Sequence, residues 1–190
     1  MKKQSLFIVL LTVAAVFLAG CSSTPKPKPV KQQPLFEQMQ KMSTEALKSG
    51  GLAVVGIGES KSLDIALSMA KTRGRVELAQ MLETKIEALQ KDFTDQTGLA
   101  EDSEILAQFT STAKVITSQQ IRGSVPMELK YETIGNTVTA YALMVLDPKV
   151  IADQLAKQKE LYTRFQATKA FEELDKEIKD YEAYKAAQKM

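Results

Sequence analysis

Between Leu63 and Phe93 the apolar residues recur three or four positions apart without interruption: Leu63, Leu67, Ala70, Gly74, Leu78, Met81 or Leu82, Ile86, Leu89 and Phe93. That is the spacing of an amphipathic α-helix, and it marks this stretch as the main core helix. A helix from Lys61 to Asp92 would be about 48 Å long at 1.5 Å per residue, long enough that a bend near Thr84 is expected. Ala66, Ala70 and Gly74 on its apolar side would let it lie close to a sheet, while Lys71, Arg73, Arg75, Lys85 and Lys91 supply a polar side.

The neighbouring segments supply that sheet. Leu35 to Leu47 places Leu35, Met39, Met42 and Ala46 at helical spacing and ends at Gly50-Gly51. Leu52 to Ile57 is an apolar run of strand length; Gly58 then turns the chain, and Ser60 or Ser62 caps the long helix. Gly98 interrupts the helical pattern, after which Asp102 or Ser103 caps a second helix with Ile105, Leu106, Phe109, Ala113 and Ile116 inward. From about Ser118 the period falls towards two: Met127, Leu129, Tyr131 and Thr133 alternate with Glu128, Lys130 and Glu132 in a half-buried strand. Gly135-Asn136 predicts a tight hairpin, and the return strand Thr137 to Leu146, apolar on both faces, is central. Pro126 puts its own strand at an edge or a bulge. Asp147 and Pro148 then start a helix as cap and first helical residue.

These elements make an α+β fold: a small antiparallel sheet packed against a long amphipathic helix and a second helix, with an extended C-terminal helix. In residues 149–190, Leu155, Tyr162, Phe165, Leu174, Ile178 and Tyr181 form an incomplete apolar stripe amid dense charge, supported by Glu172–Lys176 and Asp175–Lys179 pairs. Its first half is expected to pack on the domain, and the end from about Phe171 to project into solvent. The functional alternative has Phe171, Leu174, Ile178 and Tyr181 docking on a partner or on a second copy.

The composition restricts the chemistry. With no histidine, a Ser-His-Asp triad, a His-ligated zinc and an imidazole acid/base are excluded. Ser68-Met69-Ala70-Lys71 has Ser-x-x-Lys spacing, but it lies within the core helix and lacks the partner motifs of a serine acyltransferase site. Gly56-Ile57-Gly58 resembles the opening of a dinucleotide loop, yet Lys61 stands where the third glycine belongs and Glu59 would repel a pyrophosphate; a tight turn is the better reading. Glu172-Glu173-Leu174-Asp175 lacks the ligand spacing and glycine of a calcium loop and suits a solvated helix face. No metal, no cofactor and no enzymatic activity are expected. A net charge of +2 gives no reason to propose nucleic acid.

The first 34 residues have a different character. Lys2 and Lys3 precede a twelve-residue apolar run, Leu6 to Phe17, as in a secretory leader, and it is too short for the roughly 20 apolar residues of a membrane span. The run ends at Leu18-Ala19-Gly20-Cys21, with the only cysteine of the chain in last place. This resembles the lipobox of bacterial lipoproteins. The resemblance implies recognition of Leu18, Ala19 and Gly20 by signal peptidase II, cleavage before Cys21, and acylation of that residue; two or more acyl chains, at about 0.8 kcal/mol per buried methylene, give a stable anchor. Acylation would leave no thiol for a disulfide. Ser22 after the cysteine favours the outer membrane, facing the periplasm or the cell surface, because an aspartate there would retain an enterobacterial lipoprotein in the inner membrane. Residues 22–34, SSTPKPKPVKQQP, form a tether of up to roughly 40 Å as polyproline II.

A second resemblance covers roughly residues 50–150. The Gly-Ile-Gly end of the first strand, the helix with Ala66, Ala70 and Arg73, Gly123-Ser124, and Thr139-Ala140-Tyr141-Ala142-Leu143 are similar to the LPP20 lipoprotein family; related α+β domains occur in flagellar assembly protein T. It implies an envelope lipoprotein without established enzymatic chemistry. The domain plan is therefore a leader (1–20), a tether (21–34), a short helix (35–49), an α+β domain (50–148) and a charged C-terminal helix (149–190). The expected role is structural or protein-interacting, with the bilayer held through Cys21 and an envelope protein or a second copy as partner. The alternative is an accessory module that binds a small envelope or cell-wall ligand in a groove between sheet and helices.

Overall fold

The computed structural model describes residues 34–100 and 103–188. Along them run α1 (Pro34–Lys48), β1 (Leu52–Ser60), α2 (Leu63–Thr97), α3 (Glu104–Gly123), β2 (Pro126–Ile134), β3 (Thr137–Leu146), α4 (Lys149–Leu155), α5 (Lys159–Gln166) and α6 (Lys169–Gln188). The fold is α+β, as the periodicity predicts. The three strands form one antiparallel sheet in the order β1-β3-β2, with β3 central. Leu52 pairs with Leu146 at one end of β1 and Ser60 with Val138 at the other. β2 and β3 meet at a two-residue turn whose positive φ falls on Gly135 (60°) and not on Asn136, the II′ pattern that suits the twist of a hairpin. Pro126 lies at the start of the edge strand, where the register slips at a bulge before Glu128.

The helix α2 is continuous through Thr84 for 35 residues, about 52 Å. Its N-terminal half lies on β1 and β3, where every second residue of each strand faces it: Leu52 and Val54 from β1, Ala140, Ala142 and Met144 from β3. Gly56 and Gly58 do not form the turn expected of them. The strand runs on to Ser60, and neither residue has a positive φ. Their role is close approach, for a Cβ on Gly56 would stand 2.1 Å from the Ala70 carbonyl oxygen and one on Gly58 2.2 Å from that of Ala66. The missing side chains on β1 thus receive the small residues of α2, which the sequence placed on the correct face.

The other face of the sheet is covered by α1, whose Met39 packs with Val55, Tyr141 and Leu143, and whose Phe36 ring lies 6.1 Å from that of Tyr141. The buried Ser43 hydroxyl donates to the Ala53 carbonyl at 3.0 Å and so leaves no polar group stranded there. From Ala140 to Leu146 β3 is buried or half-buried on both faces, which is why that stretch is apolar without alternation.

The C-terminal half of α2 leaves the sheet and joins a helical cluster. Phe93, Phe109 and Phe165 meet at ring separations of 5.7 to 6.0 Å, and Phe171 and Tyr162 extend the contact. α3 starts on Ser103, whose hydroxyl accepts from the Leu106 amide at 3.3 Å, and it continues as helix to Gly123, beyond the change of period near Ser118. The helix α4 starts one residue later than expected, with Pro148 at the cap position and Asp147 just before it; the Asp147 carboxylate still accepts from the Lys149 amide at 2.9 Å and also pairs with Lys185 of α6.

The single C-terminal helix expected over 149–190 is three helices, and its end does not project. No glycine or proline breaks it. At the second break the Thr168 hydroxyl donates to the Phe165 carbonyl at 2.6 Å, and the Lys169 amide donates to Gln96 of α2 at 2.7 Å. Each change of direction re-aims the next helix, so that Leu155, Leu161, Phe165, Ala170 and Leu174 all enter the core.

Candidate functional site

The alternation in β2 is inverted relative to a half-buried strand with its apolar residues inside. Glu128, Lys130 and Glu132 are the half-buried residues, whereas Met127 (46% exposed), Leu129 (41%) and Tyr131 (55%) face solvent. The reason lies in the placement of the helices. Leu129 and Tyr131 stand opposite Ala142 and Ala140 of β3, on the face that α2 covers, but α2 packs chiefly on β1 and β3 and leaves β2 largely bare. On the opposite face the Lys130 ammonium donates to Gln38 of α1 at 3.1 Å. A row of apolar side chains on an edge strand is therefore left in water. Val125 (74%), just before the strand, and Ile134 (57%), which alternates onto the charged face, are exposed as well.

The charged side of β2 is internally connected. Lys130 lies 3.7 Å from the Glu128 carboxylate, and the Glu132 carboxylate accepts from the Tyr141 hydroxyl at 2.7 Å. Burial pushes the Tyr141 phenol well above its usual range, and the hydrogen bond to Glu132, with the negative charges of Glu132 and Glu59, pushes it the same way. At the base of the strand the Arg75 guanidinium donates twice to the Ser124 carbonyl, at 3.2 and 3.3 Å.

A search of protein-family models, curated proteins and solved structures finds no match to this chain.

Of the residues singled out in the sequence, Leu18, Ala19, Gly20 and Cys21 lie outside the described residues. Phe171, Leu174, Ile178 and Tyr181 are all on α6, and all four turn inward. Leu174 and Tyr181 are buried, and Phe171 and Ile178 pack against the core. The face offered to a partner is thus the face that closes this domain. It seats on the Gly50-Gly51 turn, where a Cβ on Gly50 would stand 2.5 Å from the Glu177 carbonyl oxygen and one on Gly51 2.6 Å from the Tyr181 ring. Lys85 of α2 pairs with Glu177 alongside. Ser68 is exposed and Lys71 half-buried on the flank of α2.

Between β1 and the start of α2 the close glycine contacts leave no room for a groove. An open hollow of about 540 Å³ lies instead between α2 and α3, lined by Gln90, Thr94, Ser103, Thr110, Ser111 and Lys114. Its hydroxyls are engaged locally: Thr94 donates to the Gln90 carbonyl, Thr110 to that of Leu106 and Ser111 to that of Gln108, while the Gln90 amide donates to Thr110. The sequence did not single out β2 as a surface. The signal was present in Pro126, which makes the strand an edge, but which of its faces a helix covers depends on where α2 crosses the sheet.

Proposed function

We propose that this chain is a bacterial lipoprotein, acylated on Cys21 and held at the envelope membrane, whose α+β domain has a non-enzymatic structural or protein-interaction role. The observation that carries the reading is Leu18-Ala19-Gly20-Cys21 at the end of a basic and then apolar leader, followed at once by the Pro/Lys tether. No helix among the described residues is long and apolar enough to cross a membrane. The LPP20 resemblance and the outer-membrane placement from Ser22 belong to the same proposal. The interaction role draws its support from the bare apolar row on β2, since contiguous exposed apolar surface is where soluble domains meet partners.

Replacing the acylation site tests the anchor. Cys21→Ser should leave the precursor uncleaved by signal peptidase II and without its diacylglycerol. If the variant reaches the normal mature mass and partitions into the detergent phase as before, the lipoprotein reading fails.

A further inference from the structure

The sheet has two outer edges, and they are treated differently. Beside β1, Arg73 of α2 donates to the Ile57 carbonyl at 2.9 Å and so occupies an edge acceptor. Beside β2 no strand follows among the described residues, and the edge runs from Pro126 to Ile134. In a hairpin with a two-residue turn the closing pair, here Ile134 and Thr137, exchanges both hydrogen bonds, and bonded and non-bonded pairs alternate from there. Leu129, Tyr131 and Thr133 therefore direct their backbone N–H and C=O groups away from β3. An edge with outward backbone groups and exposed apolar side chains is a template for an added strand.

The charges of β2 indicate which strand. When two copies of β2 pair antiparallel about a two-fold axis at Leu129, Leu129 meets Leu129 and Met127 lies beside Tyr131 of the second copy. On the other face, each Glu128 stands opposite Lys130 of the second copy, so two opposite-charge pairs cross the axis. An axis at Lys130 would set Lys130 against Lys130 and Glu128 against Glu132, like charge against like. An axis at Tyr131 would also match opposite charges, Lys130 with Glu132, but would replace the Leu129 and Met127 contacts with Leu129 against Thr133. We propose that this chain forms a two-fold dimer in which β2 pairs antiparallel with β2 of a second copy about Leu129, making a six-stranded sheet. The dimer supplies the partner left unnamed in the interaction role, rests on that half of the proposed function alone, and is independent of the lipid.

Sedimentation velocity of the full chain in detergent tests it, with far-ultraviolet circular dichroism confirming that each variant is folded. The native chain should be dimeric. Lys130→Glu and Glu128→Lys should each weaken the dimer about tenfold or more, because each sets two like-charge pairs across the axis. An equimolar mixture of the two variants should recover a heterodimer, and Glu128→Lys/Lys130→Glu in one chain should recover the homodimer. A monomer at every concentration, a dimer indifferent to the single reversals, or rescue of Lys130→Glu by Glu132→Lys in place of Glu128→Lys would overturn the proposal. The acyl group plays no part in the charge-reversal pattern, so an acylated monomer would defeat the dimer and leave the lipoprotein reading standing.

Discussion

Tyr141 shows what a single side chain does in this fold. It fills the space under α1 beside Met39 and Leu143, and its hydroxyl donates to Glu132 of the neighbouring strand. Because burial first and Glu132 second raise its pKa above the usual phenol value of about 10, the folded state keeps this proton longer than the unfolded chain does. Its contribution is therefore fully present below about pH 10 and is lost as pH rises towards and through the folded value. Tyr181 is raised in the same direction by burial, then by Asp147 and Tyr184. Denaturation midpoints measured from pH 8 to pH 11 should fall in the native protein and fall less steeply in Tyr141→Phe, which retains the contributions of Tyr181 and of Lys179, raised by its bond to Asp175. The variant should begin about 1 kcal/mol lower, having lost one hydrogen bond. An unchanged slope would show that the phenol is not held as described.

At the scale of elements, the contact of α2 with the sheet depends on backbone approaching backbone. Gly56→Ala places a methyl against the Ala70 carbonyl and the Gly74 amide, neither of which can turn aside. A cost of about 3 kcal/mol or more is expected. Gly74→Ala meets the Met144 side chain at 2.7 Å, which can move, and the Gly56 backbone only at 3.4 Å, an ordinary contact distance, and it gains up to about 1 kcal/mol of helix propensity; it should be much the milder change. Equal denaturation midpoints for the two variants would contradict this packing. The long helix was legible in the sequence because Ala66, Ala70, Gly74, Leu78, Leu82, Ile86, Leu89 and Phe93 hold one face over its whole length, and that is the face found buried. The role of Gly56 and Gly58 was not legible. A glycine that turns a chain and one that makes room for a helix look alike in one dimension, and only the partner across the gap separates them.

For the molecule as a whole, α2 is the spine that joins two packing environments, the sheet at its start and the phenylalanine cluster at its end. The C-terminal helices close the second and return along α2 to the Gly50-Gly51 turn. Their dense charge suggested a solvated end, because Leu174, Ile178 and Tyr181 are sparse along the chain. Two changes of direction without glycine or proline bring them inward, and nothing local announces those changes. Truncation after Ala170 should accordingly cost more than the roughly 2 to 5 kcal/mol of a single buried Leu→Ala change, read as a large fall in the urea midpoint. A shortened protein of native stability would mean that α6 is only a tail.

The same molecular scale includes the first 33 residues, which the periodicity of the domain does not reach and which carry the central claim. The most direct measurement is the intact mass, with amino-terminal fragmentation, of the mature protein extracted from bacterial membranes. The account predicts a chain that begins at Cys21 and carries a diacylglyceryl thioether with an amide-linked acyl chain. A chain that keeps the leader, begins at another residue, or bears an unmodified cysteine would contradict it.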